Sequence, residues 1–292
     1  MYSHSILFPG QESQNTNMLL SLIKENTIIK KTFDESSEYI KYDLNALIKR
    51  NSQKEINKNK FKLLITFTLS IAMYRLWNNN NNNKSIILAG HSLGEYSALV
   101  CSQSLTFHDA VKLIILRKKF MKESMNNNQG AMHAIIGLTK SKIEKILKDF
   151  EHTQSVSIAC INAKYQIVIS GEFSVVHKVS AICKKHGAKK IFFLPISPPS
   201  HCILMKQASK KLSIILNEIK FKKPMFPVIN NVDARCETSI SAIRKALAKQ
   251  LCSPVQWVNT ITYLISNYTL KFIEAGLNNT LTNLNKSIIK IL

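Results

Sequence analysis

Gly90-His91-Ser92-Leu93-Gly94 sets a hydroxyl between two glycines in the spacing G-x-S-x-G, directly after the apolar run Ser85 to Ala89. Ser92 is the predicted nucleophile. Glycines are needed because a strained turn would push its Oγ past a strand end, where flanking side chains would clash. A helix is expected from Glu95 to Ser102, and its N-terminus aims free N–H groups at the same point. Leu93 N–H is therefore a natural donor to an oxyanion.

A serine needs a base, and eight histidines are available. His201 stands out because Pro198-Pro199 stiffen its approach and an apolar helical pattern, Ile203 to Ile219, begins right after it. A histidine at a helix N-terminus is biased toward its neutral form, which suits a general base. His91 competes by adjacency, but on the turn it points away from Ser92. A helix-start histidine without a chemical role is the plain alternative.

Arg117 is the third informative residue. On a helix with Thr106 as N-cap and Asp109 three residues later, its same-face neighbours are Ala110, Leu113, Ile114, Phe120 and Met121, so its guanidinium is directed inward. Lys118 and Lys119 fall toward solvent. No acidic residue lies one turn away on the Arg117 face, so either a distant carboxylate or a ligand carboxylate must satisfy this buried charge. Six cysteines are scattered without a C-x-x-C pair, which argues against a zinc site and a disulfide framework and predicts reduced thiols.

These residues need elements to position them. Ser5 to Phe8 reads as a first strand stopped by Pro9-Gly10, residues 16 to 50 carry helical periodicity, and Leu63 to Trp77 reads as a buried helix ending in a solvated loop, Asn78 to Asn83. Asn126 to Gly130 looks like a domain boundary. From there the pattern is strand (Met132 to Ile136), helix (Lys140 to Phe150), strands (Val156 to Ile161, Gln166 to Ser170), helix (Ser174 to His186) and strand (Lys190 to Leu194). That β-α-β-β-α-β order is ferredoxin-like. The remaining chain reads as helices and one short apolar run, Val228 and Ile229. The expected class is α/β: a hydrolase-like large domain with a parallel sheet and a nucleophile turn (residues 1–126 and 199–292), plus an inserted ferredoxin-like small domain (127–198).

At 292 residues and 45% apolar the chain can bury a sizeable core. Its longest apolar stretch, Leu63 to Tyr74, is broken by Thr66, Thr68 and Ser70 and falls short of the roughly 20 residues that span a bilayer. No secretion signal is evident at the N-terminus, so a cytoplasmic protein with no membrane partner is expected. The formal net charge of +22 raises nucleic acid as a partner, but the 35 Lys and 5 Arg are spread through the chain beside abundant Asn and Ile, the mark of an A+T-rich genome. No nucleic acid is expected.

Together these residues spell a family. F-P-G-Q-E-S-Q at 8–14, G-H-S-L-G-E-Y-S-A-L-V at 90–100, the Arg117 helix, I-N-A-K-Y-Q-I-V-I-S-G at 161–171, S-P-P-S-H-C at 197–202, P-V-I-N-N-V-D-A at 227–234 and Q-L-C-S-P-V-Q-W at 250–257 resemble the malonyl-CoA:acyl carrier protein transacylases of bacterial type II fatty acid synthesis, in the family's order. The resemblance implies malonyl transfer from coenzyme A to the phosphopantetheine thiol of acyl carrier protein, with no metal or redox cofactor. It implies Ser92 as the acylated nucleophile, His201 as base, and the main-chain carbonyl of Gln250 as the group that orients the imidazole. Gln11 and Leu93 would supply the oxyanion N–H groups and Arg117 would pair with the malonyl carboxylate. Asn162 and Asn231 match positions near the active site. An acidic carrier protein suits the basic surface, and a monomer is expected.

Three departures from the family pattern stand out. Glu12 replaces the usual Gly, Leu63-Leu64-Ile65 stands where the family has Thr-Gln-Pro-Ala, and Gly276-Leu277-Asn278 replaces Gly-Pro-Gly. A serine hydrolase of the α/β-hydrolase type would carry its His near the C-terminus, whereas no His follows His201.

Overall fold

A strand covered on both faces needs apolar residues pointing both ways, and Ile6-Leu7-Phe8 meets that requirement. The computed structural model describes residues 4–11, 15–50, 60–81, 86–125, 129–150, 152, 155–196, 198–267 and 271–290. In it β1 (His4–Phe8) pairs in parallel with β2 (Ile86–Gly90) and with β8 (Phe272–Glu274), while β7 (Val228–Ile229) pairs with β2, giving the order β7-β2-β1-β8. Ile6, Phe8, Ile86 and Leu88 enter one core with α4 (Lys60–Asn79), α5 (Gly94–Cys101), α6 (Phe107–Glu123), α9 (Lys206–Glu218) and α10 (Ile240–Gln250). Leu7, Ile87 and Ala89 enter a second core with α11 (Trp257–Asn267) and α12 (Thr280–Ile289).

The second layer is antiparallel. Strands β3 (Gly130–Ile136), β4 (Val156–Ala163), β5 (Gln166–Glu172) and β6 (Lys190–Phe193) form a sheet of order β4-β5-β3-β6. One face carries Ala131, Ile135, Ile167 and Ile169 against α7 (Lys140–Lys148) and α8 (Phe173–Lys185). Its opposite face, with Met132, Ala134 and Val168, joins the second core of the parallel sheet. The two sheets thereby share a core, and the space between them becomes available for a site.

At the N-terminus α1 (Thr16–Glu25), α2 (Thr27–Ile40) and α3 (Leu44–Lys49) lay Leu19, Ile29, Phe33 and Leu47 against Ile65 and Leu69 of α4. Helix α4 is buried nearly all round, and two of its polar side chains bond within protein: Thr66 Oγ1 donates to Lys62 O and Thr68 Oγ1 to Ser36 Oγ, while Ser70 Oγ is buried without a partner. Among the described residues no helix is long and apolar enough to cross a membrane.

Several expectations need correction. Helix α4 absorbs Asn78 and Asn79, expected in a loop, because a helix end frays into polar residues without a breaker. Strand β8 is not foreseeable from the sequence, since three residues give no countable period and only pairing to β1 makes them a strand. The expected helix directly after His201 begins instead with a single 3₁₀ turn, Ile203–Met205, and α9 proper starts at Lys206. Glu12, Ser85, Asn126 to Asn128 and Ser197, each part of a sequence motif or boundary above, lie outside the described residues.

Candidate active site

The turn between β2 and α5 is as tight as its glycines suggest. A Cβ on Gly90 would lie 1.9 Å from Gly94 C, and one on Gly94 would lie 2.0 Å from Phe8 O, so both contacts are with backbone that cannot move aside. Ser92 itself sits in the left-handed region at φ +54°. Strain of this kind persists only where the surroundings overdetermine it. Here His91 N donates to Phe8 O at 2.9 Å, Asn231 Oδ1 accepts from Ser92 N at 2.6 Å, and Asn231 Nδ2 donates to Gly90 O at 2.5 Å. Asn231 therefore clamps the first half of the turn, from Gly90 to Ser92. Among the described residues nothing accepts from Leu93 N–H, which stays available for an incoming oxygen.

His201 reaches the hydroxyl from the far side of the chain. Its Nε2 lies 2.7 Å from Ser92 Oγ and its Nδ1 lies 2.8 Å from Gln250 O, the last residue of α10. A carbonyl can only accept, so Nδ1 carries the proton and Nε2 presents its lone pair to the serine O–H. His201 is 1% exposed, and its backbone, like that of Ser92, is left-handed at φ +60°. Burial first, then the nearby Arg117 charge, hold its imidazole down to about 3, so it rests neutral. The imidazole's neutrality thus comes from burial and a cation more than from a helix end. His91 turns away as anticipated: its Nε2 meets Asn162 Oδ1 at 2.9 Å and its ring lies against Trp257.

Arg117 enters from α6 and is 5% exposed. Its Nε and Nη2 are buried with no hydrogen-bond partner. Burial lowers its pKa, while Tyr96 and Glu95 act the other way. Glu95 is the distant carboxylate that the helix pattern leaves open, yet it bonds elsewhere: its Oε2 accepts from Asn231 N at 3.1 Å and from Gln250 Nε2 at 2.7 Å. The guanidinium is left with donors to offer. Lys118, expected in solvent, is half-buried and lines the same space, with its amine lowered to about 8 by burial first and by Lys122. Helical spacing misplaces it because the cavity opens on the flank of α6 beside Leu63.

These groups converge on a cavity of about 260 Å³ between the two sheets. Ser92, His201, Arg117, Gln11, Leu93 and Asn162 all line it; Gln250 and Asn231 stand behind as supports. Its walls are mostly apolar, with Met132, Ala134 and Val168 from the antiparallel sheet and Leu281 and Leu284 from α12. All six cysteines are free, Cys160 among the cavity walls with its thiol raised to about 12 by burial. Among the described residues no group of three or more His, Cys, Asp or Glu could hold a metal ion. Sequence reasoning misses Glu95 and the side chain of Gln250. The available signal is an acidic residue three positions after Ser92 in an otherwise apolar helix start.

The family model described as "Acyl transferase domain" matches residues 6–289. The malonyl CoA-acyl carrier protein transacylase of Buchnera aphidicola subsp. Baizongia pistaciae is 47% identical over 99% of this chain and 93% of its own length. The chain belongs to this transacylase family of acyl transferases. The Escherichia coli K12 transacylase is 42% identical across 100% of the chain and 94% of its own. Among solved structures, the Coxiella burnetii transacylase superposes with a TM-score of 0.94 at 39% identity, covering 99% of this chain and 92% of that one. A malonyl-transacylase solved in complex with a type II PKS acyl carrier protein gives 0.93 at 40% identity, covering 98% and 93%. Both sheets lie inside these matches, so the antiparallel layer belongs to the transacylase fold, and the serine-hydrolase alternative is set aside.

Proposed function

We propose that this acyl transferase carries a malonyl group from malonyl-CoA to the phosphopantetheine thiol of acyl carrier protein, through a malonyl ester on Ser92, and so supplies fatty acid synthesis. The observation that carries the reading is the Ser92–His201 pair at 2.7 Å beside a buried guanidinium with unpaired donors.

In the first half-reaction His201 Nε2 takes the Ser92 proton as Oγ attacks the thioester carbonyl. The new C–O bond puts the charge on the carbonyl oxygen, which the Leu93 and Gln11 N–H groups receive. Collapse breaks the C–S bond, and the coenzyme A thiolate takes the proton from the imidazolium. In the second half-reaction the carrier thiol gives its proton to His201, its sulfur attacks the ester, and Ser92 leaves with that proton. Gln250 O holds Nδ1–H throughout, which fixes the tautomer that both steps need. Both half-reactions balance without a metal or redox group.

Arg117 selects the acyl chain. A malonyl carboxylate gives its unpaired N–H groups two acceptors, whereas an acetyl group leaves them buried and unmet. Asn162 keeps His91 directed away from the nucleophile. Residues 127–198 act as an inserted small domain with its own apolar core, forming one wall of the site. A single copy holds every residue of this scheme, consistent with a monomer. Free cysteines fit a reducing cytoplasm. Incubation with labelled malonyl-CoA tests the reading: a malonyl adduct on the Ser92 peptide that is discharged by acyl carrier protein is expected, and an adduct elsewhere sinks it.

A further inference from the structure

Glu95 holds a place for which the two half-reactions require no carboxylate. It is 3% exposed, one residue into α5, and its carboxylate meets no ion-pair partner within bonding distance among the described residues. An exposed glutamate in the first turn would gain the same favourable interaction with the helix end without being desolvated. The burial therefore has another reason. Its Oε2 accepts from two donors, and each donor belongs to a residue that grips one half of the reacting pair.

The first donor is Asn231 N at 3.1 Å. Asn231 then uses Oδ1 to hold N of the left-handed Ser92 at 2.6 Å and Nδ2 to hold Gly90 O, so it fixes the turn from its first residue to the nucleophile. The second donor is Gln250 Nε2 at 2.7 Å, and the same amide group reaches Ser92 O at 3.0 Å. The Gln250 amide is thus committed, while its Oε1 is buried without a partner. That unmet oxygen is the sign that the amide is oriented for its N–H groups. Gln250 O, on the same residue, receives Nδ1–H of His201.

We infer that Glu95 is a positioning residue for acyl transfer, locking the Ser92 turn through Asn231 and the His201 imidazole through Gln250 from a single carboxylate oxygen. The inference rests on the Ser92–His201 reading and deepens it. Arg117 on α6 and Tyr96 on α5 are the charged and titratable groups that face this carboxylate. Burial lifts its pKa to about 7, against the pull of Gln250, Asn231 and Arg117. Either protonation state keeps an oxygen able to accept, so the geometry does not depend on the charge.

A fluorophosphonate probe tests this, because it phosphonylates an activated serine with no malonyl group involved. Ser92→Ala must go unlabelled; labelling that persists there sinks both this inference and the nucleophile assignment. With the parent labelled, Glu95→Ala should slow phosphonylation about a hundredfold, and Glu95→Gln should recover to within about tenfold of the parent, since its carbonyl oxygen can accept both N–H groups. Gln250→Ala keeps its main-chain carbonyl and should slow labelling about tenfold; adding it to Glu95→Ala should cost less than about threefold more. A parent-like rate for folded Glu95→Ala, equal slowing by Ala and Gln, or losses that multiply in the double variant would overturn the inference. Where Glu95→Ala does not fold, a parent-like rate for Gln250→Ala overturns it instead. Normal labelling effects with no malonyl transfer would sink the malonyl reading and leave the inference standing.

Discussion

Removing the Ser92 hydroxyl leaves His201 with no proton to take, so Ser92→Ala should abolish both the covalent adduct and transfer, while His201→Ala should slow adduct formation by several orders of magnitude. A near-normal His201 variant alongside a dead His91 variant would reverse the choice of base. Arg117 makes a sharper demand. Arg117→Ala should cost malonyl-CoA about 2 to 4 kcal/mol in kcat/KM and acetyl-CoA far less, and Arg117→Lys should fail to restore it because an ammonium cannot offer two parallel N–H donors. Equal losses on the two thioesters would make Arg117 structural. Titration gives a third outcome at this scale. Glu95 holds its proton up to about 7 in the fold, against 4.5 ordinarily, so the folded state binds more protons between those values and the stability from this group falls as pH rises through them. Glu95→Gln cannot ionise, so its stability relative to the parent should improve from pH 5 to pH 8 in denaturant melts; a pH-independent difference would show that the carboxylate is ionised in the fold throughout.

At the scale of elements, the strand-turn-helix from β2 to α5 carries the site, and its glycines are required for different reasons than a flexible loop's would be. Gly94→Ala would drive a Cβ to 2.0 Å from Phe8 O and 2.7 Å from Phe8 C, both backbone atoms of a central strand. Overpacking there should cost about 3 kcal/mol or more and abolish labelling of Ser92. Gly187 makes the contrast: it has φ +97° and nothing within 4 Å of the place a Cβ would take, so Gly187→Ala should cost only about 1 kcal/mol and leave transfer intact. Thermal unfolding of the two variants checks the ordering. Helix α6 shows the same dependence on local rules, since Thr106 caps it through Asp109 N and fixes which face Arg117 shares with the core. That cap and the periodicity are legible in the sequence. The position of Lys118 is not, because the angular width of a buried face depends on which neighbours pack against it.

At the scale of the molecule, the +22 charge should steer an acidic carrier protein toward the site. Raising the salt concentration should therefore lower kcat/KM for discharge to the carrier protein, while discharge to free pantetheine, an uncharged thiol, should hardly change. Equal salt sensitivity would remove steering as an explanation, and salt-dependent retention on DNA would reopen the nucleic-acid alternative. The sequence by itself determined the tight G-x-S-x-G turn, the inward Arg117, the two-sheet class and the β-α-β-β-α-β order, because each is written in short-range terms: glycine spacing, helical period, strand alternation. It also singled out His201, from the prolines before it. Only the tertiary structure decided that Nε2 of this histidine lies 2.7 Å from a hydroxyl 109 positions away, and that Glu95, Asn231 and Gln250 form one hydrogen-bonded support. Strand β8 likewise exists only through its pairing with β1. These features rest on contacts between residues far apart in the chain, where local preference carries no information and the closing of two sheets around one cavity sets every distance.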